Sequence, residues 1–70
     1  MGYRIYHGDS AADKKLVAIA KSEKGMNMAI VSYFKMNDIT SYYQRRWKIN
    51  DNTTIVDYGS HSDFIYIEEV

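Results

Sequence analysis

Residues 10–25, SAADKKLVAIAKSEKG, run directly into residues 26–34, MNMAIVSYF, and the phase of the apolar residues across this junction decides the fold. Ala12, Leu16, Ile19 and Ala20 recur at helical spacing, with Lys14, Lys15, Lys21 and Ser22 turned away. Ser10 is placed to cap such a helix, and Asp13 follows three residues on, as the acidic half of a capping box does. Lys21 and Lys24 suit the negative end of a helix dipole, and Gly25 offers a left-handed stop. The spacing therefore predicts a helix of about fourteen residues between Ser10 and Gly25. After Gly25 the period changes to two, and residues 28–34 are apolar on both sides, as in a central strand.

Working outward, residues 3–7 read as a first strand, broken by Gly8-Asp9-Ser10. Met36-Asn37-Asp38 is a turn, and residues 40–49 form a long strand. That strand carries Tyr43, Arg45, Trp47 and Ile49 on one side and Tyr42, Gln44, Arg46 and Lys48 on the other. Asn50-Asp51-Asn52 and Gly59-Ser60-His61-Ser62 mark two further turns, between which residues 53–58 make a strand; residues 63–68 make the last one. The predicted fold is α+β, with one helix packed on a mainly antiparallel sheet of four to five strands in the order β-α-β-β-β-β. Residues 1–70 form a single domain, with no linker, repeat or proline to divide it.

A chain of 70 residues buries only roughly 60% of its unfolded surface. With 46% hydrophobic residues and zero formal charge it is expected to fold rather than stay disordered. Cysteine is absent, which removes disulfides, thiolate metal sites and thiol catalysis. No apolar run reaches the ~20 residues that cross a bilayer, and the first residues lack a signal-peptide core, so the expected location is the cytoplasm.

One helix of about fourteen residues is ~21 Å long and covers only one face of such a sheet. Several strands nevertheless carry apolar or aromatic residues on both sides, and seven tyrosines and Trp47 suit a half-wet surface. Three arrangements relieve this: the sheet curls into a half-barrel, two copies pack as a homodimer, or the second face stays open for a partner.

The residues best suited to contact a partner are Tyr42, Tyr43, Arg45, Arg46, Trp47 and Lys48, because tryptophan, tyrosine and arginine dominate protein-binding energetics. Alternating cations and rings on one strand also suit single-stranded nucleic acid, which stacks its bases and pairs its phosphates. Zero net charge argues against that reading, since nucleic-acid binders carry a positive excess. His-x-Asp occurs twice, as His7-Gly8-Asp9 and His61-Ser62-Asp63, but each aspartate has a structural role in a turn, and no metal or other cofactor is expected. Neither a nucleophile elbow nor a phosphate-binding loop is present, and so small a domain rarely encloses a catalytic cleft, so the chain is read as non-enzymatic. In size, absent cysteine and tyrosine-rich strands it is similar in composition to small phage and mobile-element proteins that bind and block a host factor. That likeness implies an inhibitor or adaptor acting on another protein.

Overall fold

The computed structural model describes residues 2–10, 12–41, 43–60 and 62–70. Among the described residues two strands, β1 (Tyr3–Gly8) and β2 (Lys14–Ala20), precede the helix α1 (Glu23–Met36), and β3 (Arg45–Asn50), β4 (Thr53–Asp57) and β5 (Phe64–Glu69) follow it. The sheet runs β2-β1-β5-β4-β3 with every pairing antiparallel. It is not closed into a barrel, so β2 and β3 are its edges.

The α+β architecture is the one the sequence predicts, but the helix and the second strand have exchanged places. Residues assigned to the helix form β2, residues assigned to a strand form α1, and the order is β-β-α-β-β-β. Burial explains the exchange. Met26, Ile30 and Phe34 lie four residues apart and are all buried, with Ala29 and Tyr33 packed beside them. A strand would put alternate residues on one face, yet Met28 and Val31 are exposed. Ser22, not Ser10, is the N-cap, and its Oγ accepts the Gly25 N–H at 3.0 Å, so the glycine read as a stop lies in the first turn. The left-handed exit falls on Asp38 (φ 52°), where the Ile39 N–H donates to the Phe34 carbonyl at 2.9 Å.

In residues 14–20 a strong tertiary pairing overrides helical spacing: Val17 and Ile19 are β-branched, and β1 supplies a full ladder. The Ser10–Asp13 signal is real but closes a hairpin loop, where Ser10 Oγ accepts the Asp13 N–H at 3.1 Å. Gly8 makes that closure possible. A Cβ there would lie 2.4 Å from the Asp13 carbonyl oxygen and 2.6 Å from the Lys14 Cα. The ladder then shifts register between Ile5 and Tyr6, leaving Val17 as a bulge residue.

Strand β1 is interior, flanked by β2 and β5. The strand expected over 40–49 shortens to Arg45–Asn50. Helix α1 lies over β2 and β1, and the core forms between its inner stripe and Ile5, Val56, Ile65 and Ile67. Ile30 is 1% exposed and Val31 48% exposed. Ile30→Ala should therefore cost about 2–5 kcal/mol in urea unfolding, while Val31→Ala should change stability by about 0.5 kcal/mol or less. Comparable losses at both positions would contradict a helix in this phase.

Candidate functional site

Residues directly opposite in an antiparallel ladder share a face, so the registers define the surface facing away from α1. One row crosses the whole sheet: Leu16 opposite Tyr6, Tyr6 opposite Tyr66, Tyr66 opposite Ile55, and Ile55 opposite Trp47. At ~4.8 Å per strand it spans about 19 Å. No element of secondary structure among the described residues covers it. Tyr66 is nonetheless buried, because neighbouring side chains close over it, and the Lys14 ammonium lies 4.9 Å from the Tyr6 ring centroid and 5.8 Å from that of Tyr66. Leu16 and Trp47, at the two ends, are each 45% exposed. The face is thus self-sealed in the middle and open at its margins.

The predicted contact residues divide between the two faces of β3. Arg45 and Trp47 point away from α1, and Tyr43 joins them, its ring 5.2 Å from the Arg45 guanidinium. Arg46 and Lys48 lie on the helix side, opposite Val56 and Thr54. Arg46 donates to Asn27 Oδ1 on α1 at 2.8 Å and to Gln44 Oε1 at 3.1 Å, so it ties the edge strand to the helix start. Tyr42 lies outside the described residues. Every residue of β3 is exposed.

Acids interleave with the cations of the open face. Arg45 Nη2 donates to Asp57 Oδ2 at 3.3 Å, and Arg4 lies 3.6 Å from Glu68. Exposed pairs of this kind contribute about 0–1 kcal/mol each, but they neutralise the track that phosphates would need.

A second constellation lies on the helix side. His7 Nδ1 is 2.7 Å from the Tyr33 hydroxyl, and its Nε2 is 2.8 Å from that of Tyr58. A neutral imidazole accepts from one phenol and donates to the other, so both ring nitrogens are engaged. The His7 and Tyr33 rings meet edge to face at 5.2 Å, and Phe34 packs on Tyr58 at 4.9 Å. The cluster joins β1, α1 and the segment after β4 through a satisfied polar contact at the margin of the core, where Tyr33 also lines an open cleft between β2 and α1. His61, the partner of His7 in the repeated His-x-Asp pattern, lies outside the described residues.

Burial pushes the phenols of Tyr33 and Tyr58 above the usual tyrosine value, and the Asp63 carboxylate adds to the effect; at Tyr58 a hydrogen bond with Ser60 opposes it. Tyr66 is raised mainly by burial and further by Asp9. These groups stay neutral more readily in the folded than in the unfolded chain. Their contribution is complete below about pH 10 and is lost as pH rises through the raised values. Absorbance titration at 295 nm should show Tyr33, Tyr58 and Tyr66 ionising above the ordinary phenol range, with stability falling in that interval. Normal titration of all three in the folded protein would contradict their placement.

Sequence reasoning missed a further exposed apolar surface. Leu16 and Ile19, assigned to a helix core, are exposed on edge strand β2, and Met28, Val31 and Met36 are exposed on α1. The β-branched content of residues 17–19 is the signal that could have shown it. The chain matches no protein-family model, no curated protein and no solved structure.

Proposed function

We propose that this chain is a non-enzymatic binding module that grips another protein with the margin of the uncovered sheet face, as an inhibitor or adaptor in the cytoplasm. The observation that carries this reading is the position of Trp47. It is the only tryptophan, it sits on an edge strand, and it remains 45% exposed at the end of an apolar row with no helix over it. Trp47 is the anchor, Tyr43 widens the apolar contact, and Arg45 orients the partner at the rim. Arg46 acts on the far side of the strand by fixing β3 against Asn27.

A protein partner is favoured over single-stranded nucleic acid by the carboxylates of Asp57 and Glu68, which occupy the cations of the same face. Affinity capture with the intact protein, compared with Trp47→Ala and with Arg45→Ala, should recover one partner that the Trp47 variant loses and the Arg45 variant binds more slowly. Equal recovery by all three would remove β3 from the account. Titration with mixed-sequence oligonucleotides at low salt should leave Trp47 emission unchanged, and a salt-dependent shift would favour nucleic acid instead. A concentration-dependent mass in sedimentation, abolished by Trp47→Ala, would make the face a homodimer contact.

A further inference from the structure

The second edge of the sheet, β2, borders a cleft that the reading above does not use. The cleft has a volume of about 480 Å³ and lies between the strand and the outer flank of α1. Lys15, Leu16 and Val17 line it from the strand, and Ala29, Ser32 and Met36 line it from the helix. Because consecutive strand residues contribute, the cleft follows the outer edge of β2, whose ladder among the described residues pairs only with β1. An edge with unpaired main-chain groups beside an apolar trough is the geometry for adding a strand: main-chain hydrogen bonds supply affinity, and alternate side chains drop into the trough. Met36 is 84% exposed, so apolar surface here lacks a cover among the described residues.

We propose that this cleft receives an extended, acidic segment of a partner protein as a sixth strand beside β2. Charge selects the occupant. Lys15 lines the cleft, Lys35 stands in the adjoining depression on α1 beside Ser32, and no acidic side chain is among the residues lining either. A carboxylate-bearing strand meets this rim favourably. A second copy would bring lysine-bearing edges together, and the bulge at Val17 opposes pairing of two such edges over their full length. The surface is separate from Trp47, so this inference stands or falls independently of the sheet-face reading.

The test is selection of a displayed library of random peptides of about twelve residues on the intact protein, with the bound site mapped by amide chemical shifts. Enriched sequences should alternate apolar and acidic residues and shift the amides of residues 15–18 and 29–36. Lys15→Glu and Met36→Glu, both at accessible positions, should each weaken binding by about tenfold or more, while Trp47→Ala leaves it unchanged. N-methylation of alternate peptide amides should abolish binding, because it removes the strand contact. The proposal is overturned by absence of enrichment, by enriched peptides without acidic excess, or by shifts centred on β3. It is equally overturned if mixed-sequence oligonucleotides shift the same amides, or if sedimentation shows a dimer that Met36→Glu dissolves.

Discussion

The inner stripe of α1, Met26, Ile30 and Phe34, seated on Ile5, Ile65 and Ile67, is the contact on which the remaining arrangement depends. A helix of 14 residues reaches about 21 Å along its axis and shields a strip roughly 10 Å wide, which is two strands of a five-stranded sheet. With α1 lying over β2 and β1 and its stripe reaching the isoleucines of β5, the helix side of β3 is left to Arg46 and Lys48, and no element of secondary structure among the described residues covers the opposite face. The exposed aromatics follow from this shortage of cover: Trp47 and Tyr43 stay accessible because nothing in the described chain is positioned to bury them.

Polar chemistry then divides by location. At the margin of the core, His7 gathers the hydroxyls of half-buried Tyr33 and buried Tyr58, so the three polar groups satisfy one another where strand, helix and loop meet. Outside, lysines and arginines occupy both edges, with Lys14 and Lys15 on β2 and Arg45, Arg46 and Lys48 on β3. Charged edges discourage indiscriminate strand pairing, and on β2 Lys15 is also the charge on which the proposed preference for an acidic strand rests.

The candidate surface was legible in part. Arg45 and Trp47 share a side because strand geometry fixes alternation once the strand exists, whereas Tyr43, which precedes the strand, joins them through its ring contact with Arg45. The engagement of Arg46 by Asn27 could not be read, because Asn27 was placed in a strand rather than on the first turns of a helix. Leu16 and Ile19 were assigned to a core for the same reason. Their exposure on β2 follows from a pairing partner, β1, that local spacing does not reveal.

The sequence by itself determined the class of object: a small α+β unit with a helix on antiparallel strands, a turn at residues 50–52, and more aromatic surface than a single helix covers. Those features rest on local chemistry, namely turn residues, alternation and composition. Only the tertiary structure decided which of residues 14–20 and 23–36 is the helix. Both stretches carry apolar residues compatible with either period, and Ser10 and Ser22 both offer a cap. The choice falls to the arrangement that pairs β1 on both sides and places Met26, Ile30 and Phe34 against it, a gain that exists only when distant segments meet.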